Sequence, residues 1–86
     1  MTREEEEMKA KIHITLKNGV LDPQGRAIAG ALNTMGFKQV ADARQGKYIE
    51  LVVNETDRGK AEAAVEKMCA GLLANTVIEN YKYEIE

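Results

Sequence analysis

The sequence predicts an α+β domain of the ferredoxin-like βαββαβ type, a four-stranded antiparallel sheet with two helices on one face. Three observations predict it. KIHITLK, KYIELVV and YKYEIE each alternate in polarity, and two longer segments carry apolar residues at helical spacing. In chain order these signals read β-α-β-β-α-β.

The first strand covers residues 11–17. Ile12, Ile14 and Leu16 point one way, and Lys11, His13, Thr15 and Lys17 the other. The first helix opens at Asp22-Pro23. Proline suits the first helical position because its missing N–H would have had no partner there, and an Asp cap accepts a backbone N–H from the first turn. Ala27, Ile28, Ala31, Leu32 and Met35 form its stripe, and Gly36 stands where a helix ends in the left-handed conformation. Gly25 and Gly30 weaken this helix relative to alanine, so a close neighbour, the sheet or another polypeptide, is expected there.

A second strand is expected over residues 39–44. Gln45-Gly46 would turn it into a third over residues 47–53, with Ile49, Leu51 and Val53 on one face and Tyr48, Glu50 and Val52 on the other. NETD supplies capping oxygens for the second helix, whose stripe is Ala61, Ala64, Val65, Met68 and Leu72, widened by Cys69 and Leu73. Asn75 can close it. The last strand, residues 81–86, faces Tyr81, Tyr83 and Ile85 together.

A chain of 86 residues supports one domain with a small core, burying about 60–65% of the surface its unfolded form exposes. Hydrophobic residues at 44% exclude disorder for the whole, while the acidic run Glu4 to Glu7 marks residues 1–7 as a prefix expected to be disordered, ahead of one domain over residues 8–86. The net charge of −2 and the lack of a basic stripe argue against nucleic acid as a partner. No apolar run is long enough for a membrane span or signal peptide, so a cytoplasmic setting and no membrane partner are expected. The mixed outer sheet face and the free sheet edges point to a homodimer, with a tetramer as the next step of association.

No set of catalytic residues assembles from the sequence. His13 is the single histidine and lies mid-strand among Lys and Thr; Cys69 lies on or beside an apolar helix stripe, where a buried, inert thiol is the plainer reading. Arg58 and Glu62 read as surface pairing at i, i+4. No metal-ligand spacing occurs, and neither a metal nor a cofactor is expected on this chain. The glycines of KNGVLDPQG lack the spacing of a phosphate loop, and Asp22 would repel an anion at the helix start.

KAKIHITLKNGVLDPQGRAI, GKYIEL and CAGLLANTVIENYKYEI, in that order and at that spacing, closely resemble the PurS family, the small subunit of phosphoribosylformylglycinamidine synthase. The likeness runs from Met8 to Ile85. It implies a non-catalytic accessory subunit of purine biosynthesis that dimerises and joins a PurL-like synthetase and a PurQ-like glutaminase. The complex would use ATP, Mg and glutamine to convert formylglycinamide ribonucleotide to formylglycinamidine ribonucleotide. Such a subunit would assemble the two enzymes and assist ammonia transfer. On this resemblance KNGVLDPQG and RQGKY are the expected partner contacts, with Lys17, Asn18, Gly19, Gln24, Gly25, Arg44, Gly46, Lys47 and Tyr48 as the candidates.

Two rival readings share the element order. One is an ACT-like regulatory domain binding an amino acid near Asn18-Gly19, which a thermal-shift screen would reveal. The other is an RNA-binding module, which the acidic balance and the single well-placed aromatic, Tyr48, disfavour.

Overall fold

A computed structural model describes residues 7–86. The elements are β1 (Glu7–Leu16), α1 (Pro23–Thr34), β2 (Gly46–Asn54), α2 (Arg58–Met68), a π-helical turn (Cys69–Leu73) and β3 (Glu79–Ile85). The sheet is antiparallel in the order β2-β1-β3. Register pairs Ile12 with Ile49 on one side and with Tyr83 on the other. The period-2 reading therefore holds: Ala10, Ile12, Ile14, Ile49, Leu51, Val53, Tyr81, Tyr83 and Ile85 share the core face.

Both caps form as the chemistry requires. Asp22 accepts the Gly25 N–H at 2.8 Å with Pro23 behind it, and Asp57 accepts from Gly59 and Lys60. Gly36 has φ of +107°, the left-handed stop expected after α1.

Four expectations are corrected. Glu7 already pairs with Asn54 in β1, so the ordered domain begins before Met8; the rest of the acidic prefix, residues 1–6, lies outside the described residues. The described sheet has three strands, because residues 39–44 form none. That segment packs along α1 instead: Asn33 Nδ2 donates to the Val40 carbonyl at 3.0 Å, and the Ala43 carbonyl presses on Gly25. Its ladder partners are thereby replaced by contacts to a helix.

The helices also differ from expectation, since only α2 covers the sheet. Ala61, Val65 and Cys69 bury against β1 and β3, whereas α1 contributes nothing to the core. A ten-residue strand spans about 33 Å and a 12-residue helix about 18 Å. Together they approach the 53 Å long axis of the molecule, so α1 continues past the end of the sheet. The radius of gyration is 17.1 Å, against about 12 Å for a compact chain of this length.

Leu72 is the fourth correction. At Cys69–Leu73 the helix widens, with the Ala74 N–H donating to the Cys69 carbonyl five residues back at 2.9 Å. The extra residue per turn shifts the phase, so Cys69 is buried while Leu72 is 82% exposed.

Candidate partner-contact site

Lys17 to Gly25 and Arg44 to Tyr48 were separate in sequence; one end of the sheet brings most of them together around Asp22. Asp22 is 7% exposed and is the buried acidic side chain of the described residues. One of its oxygens accepts the Gly25 N–H, and the other accepts the Gln45 N–H at 2.9 Å. Those two backbone donors, Gln45 first, hold its carboxyl below the usual carboxylate range, with Arg44 adding a smaller pull from 4.0 Å.

Arg44 ties the same end to β1. Its Nη2 donates to the Leu16 carbonyl at 2.9 Å and to the Lys17 carbonyl at 3.1 Å. The Lys17 N–H in turn donates to the Ile78 carbonyl at 2.8 Å, which draws in the connection before β3. Between them the chain turns through Asn18 and Gly19. The Val20 N–H closes that turn on the Lys17 carbonyl, and Gly19 supplies the positive φ of +88° that it needs.

Two glycines of the predicted set are close-approach positions. A Cβ on Gly25 would stand 2.1 Å from the Ala43 oxygen, and one on Gly46 2.4 Å from the Ile14 oxygen. The expectation at Gly25 thus finds its neighbour, a carbonyl of the return segment. A Cβ on Gly30 would meet nothing within 4 Å outside the backbone of its own helical turns.

Lys47 pairs with Glu79 at 3.5 Å, and Glu79 also accepts the Asn75 N–H at 2.7 Å. Gln24 is exposed on the first turn of α1 and faces a shallow cleft of about 170 Å³ that it shares with Ile14, Leu16, Gly46, Lys47 and Glu79. Tyr48 is the candidate that does not join this cluster. It stands on the outer sheet face, donates to Glu50 at 2.8 Å and lies against His13, ring centroids 4.7 Å apart.

Sequence reading missed Leu72 and Val77. They are 82% and 80% exposed, and Val77 adjoins Ile78, whose carbonyl anchors Lys17. An exposed apolar side chain next to the connection that anchors Lys17 fits the apolar centre and charged rim of a contact surface. Their signal was the LLANTVIE segment itself, which carries part of the family resemblance although none of the expected partner contacts falls on it.

The groups with catalytic potential are differently placed. Burial pushes the Cys69 thiol up, with Glu66 nearby adding to it, so its nucleophilic thiolate is disfavoured. Glu66 is engaged by two phenols: Tyr81 and Tyr83 both donate to it, the latter at 2.9 Å. These bonds lower the Glu66 carboxyl and raise both tyrosines, Tyr81 up to about 12. They fasten α2 to β3. Among the described residues no group of three His, Cys, Asp or Glu side chains is arranged to hold a metal ion.

Comparison with known proteins follows the same residues. The family model described as PurS, phosphoribosylformylglycinamidine (FGAM) synthase, matches residues 9–86. The chain is 50% identical over 78 residues to the phosphoribosylformylglycinamidine synthase subunit PurS of Bacillus subtilis, covering 91% of this chain and 92% of that one. It is 42% identical over 78 residues to the Methanocaldococcus jannaschii subunit, covering 91% and 94%. Among solved structures, Bacillus subtilis PurS superposes with a TM-score of 0.83 at 49% identity, over 92% of this chain and 98% of that one. A chain of the PurLQS structure from Thermotoga maritima superposes at 0.85 and 32% identity, over 93% and 98%.

Proposed function

The chain belongs to the PurS family of phosphoribosylformylglycinamidine synthase, and from that premise we propose that it is the subunit that holds a PurL-like synthetase and a PurQ-like glutaminase together. It is a subunit of a ligase complex of purine biosynthesis and contributes positioning rather than bond-making. The complex takes ATP, Mg and glutamine, none of them held by this chain. It carries ammonia from the glutaminase to formylglycinamide ribonucleotide on the synthetase, in the cytoplasm. Free ammonia is mostly protonated at neutral pH and ammonium is a poor nucleophile, so keeping two active sites in register preserves the reactive form.

The observation that carries this reading is the convergence of the two family-like segments on Asp22. That carboxylate locks Gly25 and Gln45, and Arg44 locks the end of β1, so the sheet end is a rigid platform. Lys17, Gln24 and Lys47 stand on it, and exposed Val77 adjoins Ile78, whose carbonyl anchors Lys17. A platform of this kind loses little side-chain and loop freedom on binding. Self-association belongs to the same reading: β2 and β3 are both edge strands with unpaired outer ladders, which a second copy would satisfy.

Co-purification with both partners in the presence of glutamine and Mg-ADP tests it. Lys47→Glu, Gln24→Ala and Val77→Asp should each reduce recovery of the synthetase or glutaminase while leaving the far-UV spectrum unchanged. Recovery of both partners at wild-type ratio by all three variants would refute the platform.

A further inference from the structure

We infer that the cleft between the β1–α1 turn and residues 42–44 binds a free α-amino acid, its carboxylate on Arg26 and its ammonium on Asp42. The inference goes beyond the subunit reading and does not depend on how the chain meets its partners.

The cleft encloses about 330 Å³, within the range of small-molecule sites. Its walls are the turn through Gly19, the start of α1 and the return segment that leads into β2. Four charged side chains line it, two guanidinium groups and two carboxylates. One of each is already engaged. Asp22 accepts the Gly25 and Gln45 N–H groups, and Arg44 lies 4.0 Å from it while donating to the Leu16 and Lys17 carbonyls.

The other two are open. Among the described residues, Arg26 and Asp42 pair neither with each other nor with any other charged side chain. Asp42 uses one oxygen on the Ala43 N–H at 2.8 Å and leaves the second without a partner. A bare anion in this cleft would meet the Asp42 carboxylate, and a bare cation the Arg26 guanidinium. A ligand that carries both charges close together complements both. An α-amino acid is the simplest ligand of that kind.

The turn adds donors. Val20 spends its N–H on the Lys17 carbonyl, whereas the Gly19 and Leu21 N–H groups have no acceptor among the described residues. That wall therefore keeps two backbone donors for a carboxylate. Asp22 does not oppose the ligand as it would oppose a phosphate, because two N–H groups and Arg44 already answer its charge. Leu21, 63% exposed, and Val20 offer apolar surface to the ligand's side chain.

The walls are also fixed in advance. The Ala43 carbonyl against Gly25 and the Gln45 bond to Asp22 hold the return segment on the start of α1, and Arg44 ties it to the end of β1. Binding a small ligand between walls already in place costs little loop ordering.

The test records amide spectra of the isotope-labelled full chain with L-glutamine, L-leucine and glycine added in turn. At least one should shift the Gly19, Leu21 and Ala43 signals saturably. The N-acetyl derivative of that amino acid lacks the ammonium, and its C-terminal amide lacks the carboxylate. Each should bind at least about tenfold more weakly. Arg26→Gln and Asp42→Asn should each cause the same loss and leave the rest of the spectrum unchanged, since the second keeps an oxygen for the Ala43 N–H. No saturable shift with any of the three amino acids overturns the inference. So does full-strength binding of either blocked derivative, or binding that both variants retain. Each of those results leaves the subunit reading standing, because co-purification tests it separately.

Discussion

The carbonyl oxygen of Ala43 occupies the space beside Gly25, 2.1 Å from where a Cβ would stand. An 18-residue separation thereby becomes a backbone contact, and the start of α1 is clamped to the segment that leads into β2.

Gly25→Ala should therefore destabilise the fold by about 1–3 kcal/mol, as overpacking a tight site does. Gly46→Ala should behave alike, since its added methyl meets the Ile14 carbonyl and the Thr15 side chain. Urea unfolding of both variants against wild type measures this. Unchanged midpoints would mean that the backbone gives way freely at both sites.

Asp22 sets an acid limit. Its folded pKa lies below the ordinary aspartate value of 3.8. The stability it contributes is therefore present above that value and is lost as pH falls through the lower folded one. Wild type should lose thermal stability more steeply below pH 4 than Asp22→Asn, which should start lower and stay flatter. Parallel melting curves from pH 6 to pH 2 would contradict this.

At alkaline pH the Glu66 clasp should show the opposite sign. Tyr81 is raised to about 12 from 10.0, so its bond to Glu66 is intact below pH 10 and is lost as pH rises through 12. Spectrophotometric titration should find tyrosine ionising late, and Glu66→Gln should bring Tyr81 and Tyr83 back toward 10.0. An unmoved titration curve in that variant would remove the clasp.

The π-helical turn makes a prediction about Leu72. Were the helix regular through this turn, Leu72 would join the core stripe and its loss would cost about 2–5 kcal/mol. Because the turn rotates it outward, Leu72→Ala should stay within about 0.5 kcal/mol of wild type. Ile12→Ala, fully buried, should show the larger loss.

Much of the site was legible early for local reasons. Asp22-Pro23 announces a helix start whatever surrounds it, and Gly25, out of place in a first turn, signalled a close neighbour correctly. Which neighbour was not legible: VADA, residues 40–43, is short and weakly apolar, compatible with a strand or with packing along a helix. Tyr48 illustrates the other limit. Its position beside Lys47 suggested the same surface, but strand alternation sends adjacent side chains to opposite faces.

Strand faces, helix caps and the family were determined by the sequence alone, since periodicity, capping chemistry and motif order are properties of neighbours along the chain. Tertiary structure decided that residues 39–44 leave the sheet, that α1 stands beyond it, and that Leu72 faces out. Each of those depends on contacts between residues far apart in sequence or on one extra residue in a helical turn, and such choices are settled by the sum of packing energies rather than by any local preference.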